Sequence, residues 1–308
     1  MNDASPSTAA APPPPTPASA PATAAPPISL AIPKGRQSSQ VERLLADAGW
    51  AVRGDERDYR PTCAAPGVII KRLKSQNIPQ LLEAGRHDIG FAGADWVRET
   101  GADVDEILDL ETDPVRIVAA APRNIAESLD TPRELVIATE YVRLAEQWAA
   151  ARKLDARIIR THGATEVFPP EDADLIIDNT ASGSTLRANG LVIIDELMRS
   201  STRLFARPGL RENPEFMRLV DDLVVLLRAS LAARGRVMLE LNVSDDLLDA
   251  VIDRLPSMRA PTVSQLWGAA AHAVKSAVPR DDLPALIPDL RRIGATDIVV
   301  YQLERICP

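Results

Sequence analysis

From Ile28 onward, apolar residues come in short blocks whose spacing alternates between that of strands and that of helices. Ile28-Ser29-Leu30-Ala31-Ile32 is a short apolar run closed by Pro33, and Lys34-Gly35-Arg36 supplies turn chemistry after it. Val41, Leu44, Leu45 and Ala48 then fall at i, i+3, i+4 and i+7, the stripe of an amphipathic helix. Ser38 or Ser39 is placed to cap its start and Gly49 to end it. Pro79 sits at a first helical position before residues 80–84, and Gly85 closes that helix. The run 87–93 reads as a strand, with Asp95 placed to cap the next helix. Residues 115–121, 136–139, 157–160 and 175–177 are predicted as strands and 144–153 as a helix. Such alternation predicts a mostly parallel α/β architecture.

Beyond residue 212 the grammar changes. Asn213-Pro214-Glu215 opens a long helix with Phe216, Leu219, Val220, Leu223, Leu227 and Leu231 along one face. Residues 236–243 alternate as a strand, 245–254 are helical, and a short strand is expected around 259–263. A strand over 269–278, a helix over 281–293 and a strand over 297–303 complete a β-α-β-β-α-β order, that of a small ferredoxin-like module.

With 308 residues the chain has room for more than one core. Residues 1–27 stand apart, with nine Pro, nine Ala, no Lys or Arg and no aromatic. They cannot bury enough apolar surface to offset their ordering entropy and are expected to be disordered; they lack the charged start of a secretory signal and the arginines of a transit peptide. Lys and Arg number 35 against 43 Asp and Glu, a formal charge of −8. No global basic field exists to attract nucleic acid or an anionic membrane, so phosphate chemistry must rest on local pockets. No apolar stretch approaches the roughly 18–20 residues of a membrane span. Two cysteines, Cys63 and Cys307, offer at most one bridge and no metal-ligand spacing, which fits a reducing cytoplasm.

The strongest chemical signal is Asp174-Leu175-Ile176-Ile177-Asp178-Asn179-Thr180-Ala181-Ser182-Gly183-Ser184-Thr185-Leu186. An apolar strand ends in an acidic residue and runs into small hydroxyl residues around one glycine. Backbone N–H groups of such a loop converge on a phosphate, Ser182, Ser184 and Thr185 add donors, and the acid accepts from vicinal sugar hydroxyls. These parts fit a 5-phosphorylated ribose, although on the residues alone a plain turn is the more common outcome.

The run 178–186, followed by Arg187-Ala188-Asn189-Gly190-Leu191, resembles the phosphoribosyl-pyrophosphate loop of the ATP phosphoribosyltransferase family. Ala31-Ile32-Pro33-Lys34-Gly35-Arg36 is similar to that family's opening strand and loop. Gln76-Asn77-Ile78-Pro79 and Asp88-Ile89-Gly90-Phe91-Ala92-Gly93-Ala94-Asp95 are similar to its second block, and Ala138-Thr139-Glu140-Tyr141 to its central strand. Pro261-Thr262-Val263-Ser264-Gln265-Leu266 resembles the regulatory domain of the long form.

The resemblance implies two α/β lobes of the periplasmic-binding-protein type II kind plus a ferredoxin-like regulatory domain. Residues 28–114 with 191–234 would make one lobe, 115–190 the other and 235–308 the third domain. It implies Mg²⁺-dependent transfer of the phosphoribosyl group from phosphoribosyl pyrophosphate to N1 of ATP, feedback inhibition by histidine, and dimers or hexamers of the chain. Lys34, Arg36, Asp95 and Asp178 are the implied catalytic group, and Asp178, Thr180, Ala181, Ser182, Gly183, Ser184 and Thr185 the implied phosphoribosyl site. Gly93, Glu140 and Glu166 fall to the ATP side, Asp178 to the metal, and Thr262, Val263 and Ser264 to histidine. Departures from the family pattern are concentrated after the central strand, at Val142-Arg143-Leu144-Ala145-Glu146-Gln147-Trp148, over residues 55–71, and in the Ala-rich run 268–271. A second reading, a catalytically weakened phosphoribosyl-ligand sensor or regulatory subunit of the same fold, follows from those departures.

Overall fold

The structure is a computed structural model and describes residues 27–55, 57–129 and 131–307. The Pro/Ala-rich segment lies, apart from Pro27, outside the described residues. In chain order the elements are β1 (Ile28–Pro33), α1 (Ser38–Asp47), β2 (Val52–Arg53), β3 (Thr62–Cys63), β4 (Val68–Leu73), α2 (Ile78–Glu83), β5 (Ile89–Gly93) and α3 (Ala94–Thr100). They continue with β6 (Asp105–Pro122), α4 (Arg123–Glu127), β7 (Leu135–Thr139), α5 (Val142–Arg152), β8 (Ala156–Arg160), β9 (Leu175–Thr180), α6 (Ser184–Ala188) and β10 (Leu191–Ala206). The rest is α7 (Pro214–Arg234), β11 (Arg236–Ser244), α8 (Leu248–Arg254), β12 (Thr262–Gln265), β13 (Ala271–Pro279), α9 (Leu283–Ile293) and β14 (Thr296–Gln302).

Eight strands form one sheet in the order β4-β1-β5-β10-β6-β9-β7-β8. At one end β1 runs parallel to β4 and β5; at the other β7 runs parallel to β8 and β9. Between these two parallel triads lie β6 and β10, antiparallel to each other and long enough to belong to both. The end of β10, Thr202–Ala206, pairs with β5, while Arg116–Ala120 of β6 pairs with β9. Each triad with its share of the long pair is a lobe with its own core. Ile28, Leu30, Leu44, Phe91, Leu110, Leu204 and Leu223 pack in one; Ile117, Ile137, Tyr141, Leu144, Leu175 and Ile177 pack in the other. Each fully buried aliphatic or aromatic side chain contributes about 1.5–3 kcal/mol.

The expectation of a mostly parallel sheet therefore fails at its centre. The predicted strand 115–121 is the second half of β6, and the whole of β10 had no counterpart in the sequence reading. Acidic residues interrupt the first half of β6, and five register shifts along the β6–β10 ladder break the period of two. Helix α1 also starts differently, because Gln37 occupies the cap position without a side-chain bond and Ser38 Oγ donates instead to Glu42 Oε1 at 2.8 Å.

The last four strands form a separate antiparallel sheet, β12-β13-β11-β14, with the β-α-β-β-α-β order expected of a ferredoxin-like module. Leu239, Leu241, Val251, Val274, Leu286 and Leu290 make its core. Helix α7 leads from the first lobe into it. Asn213 caps that helix, its side chain accepting from the N–H groups of Glu215 and Phe216 at 3.1 and 3.3 Å, with Pro214 in the first turn. Asn213→Ala is expected to cost about 1 kcal/mol and a few degrees of melting temperature. Calorimetric unfolding at equal pH checks this, and an unchanged profile would mean the cap contributes nothing.

Candidate active site in the interlobe cleft

The loop after β1 carries Lys34, Arg36 and Gln37 into a cavity of about 350 Å³ between the lobes. Lys34 Nζ lies 3.6 Å above the ring of Tyr59, a contact that orients a mobile ammonium without neutralising it. The segment bearing Tyr59 is tied down by Arg72, only 2% exposed. Arg72 grips both oxygens of Glu42, at 2.9 and 3.0 Å, and donates to the carbonyls of Asp55 and Asp58 at 2.7 and 2.9 Å. Burial leaves that guanidinium no water, so these partners are obligatory.

Asp95 lines the same cavity from the first turn of α3. It does not cap the helix as the sequence suggested, since Gly93 holds the cap position and Asp95 is buried. Its Oδ1 accepts from the Ser200 hydroxyl at 2.6 Å, its own N–H returns to Ser200 Oγ at 3.0 Å, and Oδ2 accepts from the Tyr141 hydroxyl at 2.7 Å. A Cβ at position 93 would overlap Asp95 Oδ1, so this approach requires glycine. Tyr141 in turn accepts from Asn179 Nδ2 at 3.2 Å, and its ring stacks on Trp96 with centroids 4.6 Å apart. Burial, reinforced by the Asp95 charge, raises the Tyr141 phenol well above its ordinary range and keeps it a neutral donor. A polar chain Ser200–Asp95–Tyr141–Asn179 thus runs from the long strand β10 across α3 to the end of β9.

Asp178 and the hydroxyl loop follow directly. Burial pushes the Asp178 carboxyl up to about 6; the Asn179 N–H and Thr165 hydroxyl oppose this, while the charges of Glu140 and Glu166 add to it. The loop is pre-shaped by its own bonds: Gly183 N–H donates to Thr180 Oγ1 at 3.0 Å and Arg187 holds the Ser182 carbonyl at 3.1 Å. Gly183 has φ of 73°, a left-handed turn that glycine takes without strain. Ala181, Ser182, Ser184 and Thr185 remain exposed on the loop, and the first N–H groups of α6 have no acceptor within that helix. Beside this lies a second cavity of about 530 Å³, lined by Lys74, Gln76, Glu140 and Arg160, where Gln76 Nε2 reaches across the lobes to Glu140 Oε2 at 2.6 Å.

A family model described as ATP phosphoribosyltransferase matches residues 74–229, and one described as HisG, C-terminal domain matches 233–305. The ATP phosphoribosyltransferase of Desulforudis audaxviator is 36% identical over 288 residues, covering 91% of this chain and 99% of that protein. The chain belongs to the ATP phosphoribosyltransferase family. It is an enzyme of glycosyltransferase type. The relative from Metallosphaera sedula is 33% identical over 284 residues, with 91% of this chain and 99% of that one covered. Among solved structures, the ATP phosphoribosyl transferase (HisG:HisZ) complex from Thermotoga maritima superposes with a TM-score of 0.58 at 25% identity, over 65% of this chain and 98% of that one.

Of the residues singled out in the sequence, Lys34, Arg36 and Asp95 line one cavity, Asn179 joins it to Asp178 and the loop 180–185, and Glu140 and Glu166 act electrostatically on Asp178. Thr262, Val263 and Ser264 do not join them; they lie exposed on β12, the outer strand of the second sheet. Among the described residues no group of three or more His, Cys, Asp or Glu is arranged to hold a metal ion. Sequence reasoning missed Gln37, Ser200 and Asp113. Gln37 donates to Thr202 at 3.0 Å, and Asp113 Oδ2 is buried without a partner. Ser200 and Asp113 lie on the long strands, where no local pattern marks them.

The raised Asp178 pKa has a thermodynamic sign. The folded carboxyl ionises near 6 and the unfolded one near 3.8, so the ionised group costs stability above pH 6 and the cost vanishes as pH falls below 4. Asp178→Asn is expected to melt a few degrees higher than the parent at pH 7.5, worth about 1–3 kcal/mol, with the gap closing toward pH 4. Melting curves across that range check it, and a variant less stable at pH 7.5 would contradict the burial cost.

Proposed function

We propose that this enzyme transfers the phosphoribosyl group of phosphoribosyl pyrophosphate to N1 of ATP, the first step of histidine biosynthesis. The bond from C1 to N1 of the adenine forms with inversion as the bond from C1 to the pyrophosphate oxygen breaks, giving phosphoribosyl-ATP and pyrophosphate. The observation that carries this reading is that the cavity lined by the cationic pair Lys34 and Arg36 also reaches Asn179, which bonds Asp178 at the start of the shaped hydroxyl loop.

In this scheme the loop residues Thr180, Ala181, Ser182, Gly183, Ser184 and Thr185 hold the 5-phosphate through N–H and hydroxyl donors. Asp178 accepts from the ribose hydroxyls and, with Glu140 and Glu166, provides a negative field for the positive charge that develops on the sugar. Lys34 and Arg36 bind the departing pyrophosphate, Arg36 as a bidentate donor. Asp95, held by Ser200 and Tyr141, fixes the cleft floor, and Gly93 keeps that approach open on the ATP side.

The residues present also fit a Mg²⁺ ion held by few protein ligands. Mg²⁺ is commonly held by one or two carboxylates plus substrate phosphates, and Asp178 stands close enough to Glu140 and Glu166 for their charges to add to the burial that raises its pKa. Asp178 would hold it, and the ion would supply charge neutralisation of the pyrophosphate.

Phosphoribosyl-ATP formation from ATP, phosphoribosyl pyrophosphate and Mg²⁺, followed by ultraviolet absorbance, tests the reading. Thr185→Ala and Asp178→Asn are each expected to lower activity about ten- to a hundredfold, as loss of a hydrogen bond to a charged group predicts. Full activity of Asp178→Asn at limiting phosphoribosyl pyrophosphate would remove the ribose assignment. No product with the parent protein would favour the weakened, ligand-sensing relative.

The same reading assigns histidine inhibition to the C-terminal module, with Thr262, Val263 and Ser264 offering backbone and hydroxyl groups on an open strand, and has the chain assemble as dimers or hexamers. Inhibition from that distance requires histidine to bind one lobe arrangement better than another, typically by about 1–3 kcal/mol. Histidine is expected to inhibit without competing with phosphoribosyl pyrophosphate. Calorimetry without binding at millimolar histidine would remove this part alone.

A further inference from the structure

Helix α5 begins directly after Glu140 and Tyr141, yet it has no cap of its own. Tyr141 occupies the cap position without a side-chain bond to the helix, and no acidic residue lies in the first turn. The free N–H groups of such a start need acceptors when they are buried. Here they find them in the other lobe. Glu99, at the end of α3 and buried to 8% exposure, accepts from the N–H of Arg143 through Oε1 at 3.1 Å and from the N–H of Leu144 through Oε2 at 3.0 Å. A buried carboxylate is held by two N–H donors of a helix whose positive end faces it.

The contact continues one turn on. Arg143 lays its guanidinium against Gly101, where α3 ends, so closely that any Cβ there would overlap it. Helix α3 opens with Asp95 and Trp96 and closes with Glu99 and Gly101. Helix α5 opens from Glu140 and Tyr141. The two ends of α3 therefore meet the start of α5 twice, through Asp95 with Tyr141 and through Glu99 with the helix N–H groups. The first pair lines the cleft; the second does not line the cavity of Lys34 and Arg36.

We propose that Glu99 is a positioning residue that locks the two lobes in register by capping α5 across the cleft, so that the Lys34–Arg36 loop and the phosphoribosyl loop face each other at the distance the transfer needs. The inference rests on the function proposed above for its kinetic consequence, but not for its structural one. A cap supplied in trans differs from a local one because its loss frees a rigid body as well as a helix turn. Glu99 lines the second cavity beside Glu140 but lies outside the phosphoribosyl loop, so its loss should leave binding to that loop nearly intact and misalign the reacting groups.

The test pairs kinetics with a distance measurement. Spin labels placed at the exposed positions Ser39 and Arg157, one on each lobe, with Cys63 and Cys307 changed to serine, report the lobe-to-lobe distance by pulsed electron resonance. Glu99→Ala is expected to broaden the distance distribution and to lower kcat tenfold or more, with KM for phosphoribosyl pyrophosphate within twofold. Glu99→Gln, which keeps one carbonyl acceptor, is expected to recover part of both. A distribution as narrow as the parent's would overturn the proposal, whether kcat is kept or falls together with the melting temperature, the second outcome marking a purely local cap. Should Glu99→Ala fail to fold, Glu99→Gln alone carries the test, with a broadened distribution expected and an unchanged one decisive against it. A parent protein that makes no phosphoribosyl-ATP would remove the function, while the distance measurement would still judge the joint.

Discussion

Everything in the catalytic half hangs on the antiparallel pairing of β6 with β10. These are the strands by which the chain enters the second lobe and leaves it, and they hydrogen-bond to each other along almost their whole length. A parallel triad needs a neighbour on its inner edge to satisfy its backbone groups, and both triads find it in this one pair. The lobes are therefore neither separate domains on a flexible linker nor one rigid slab. Bulges gather at the crossing, where Glu111 and Asp113 take φ of 53° and 49°, a left-handed conformation uncommon for residues other than glycine. The ladder bends at those points without breaking, which leaves a cleft between two well-packed cores.

The site uses that geometry in a consistent way. Asp95 is bonded by Ser200, which belongs to the shared strand, and by Tyr141, which belongs to the second lobe. Its charge is thus shielded from water by groups whose relative position depends on the lobe angle. Asp178 sits in a different condition, half-buried, with burial first and the charges of Glu140 and Glu166 second raising its carboxyl to about 6, which marks a group kept at a cost to stability. Asp95 and Glu99, each with donors to both carboxylate oxygens, build the frame, and Asp178 faces the proposed ligand.

The C-terminal module is joined through α7 and through its own last residues. Arg305 donates to the carbonyl of Asp47 at the end of α1, and Ile306 N–H to the carbonyl of Ala229 in α7 at 3.0 Å. The module therefore touches the first lobe and the linking helix at two points. Strand β14, an edge of that sheet, leaves Val299, Val300 and Tyr301 exposed.

Short-range features were legible in the sequence because their causes are local. The apolar stripe of α1, the Asn213-Pro214 start of α7 and the alternation of β11 follow from spacing and capping within a few residues, and the hydroxyl loop is recognisable because its donors are contiguous. Lys34 and Arg36 were visible for the same reason, sitting in a turn between a strand and a helix. What the sequence could not determine were groups whose meaning comes from a partner far along the chain. Ser200 is a serine on a long irregular strand until Asp95, 105 residues earlier, is brought against it. Glu99 reads as an ordinary helix-end charge until the uncapped start of α5 meets it from the other lobe. The strand β10 was invisible because its polarity is set by which side of the hinge each stretch faces, and a pairing partner some eighty residues away fixes that. Spacing along the chain determines local hydrogen bonds and apolar faces; only the folded lobes decide which buried charges find their acceptors and donors.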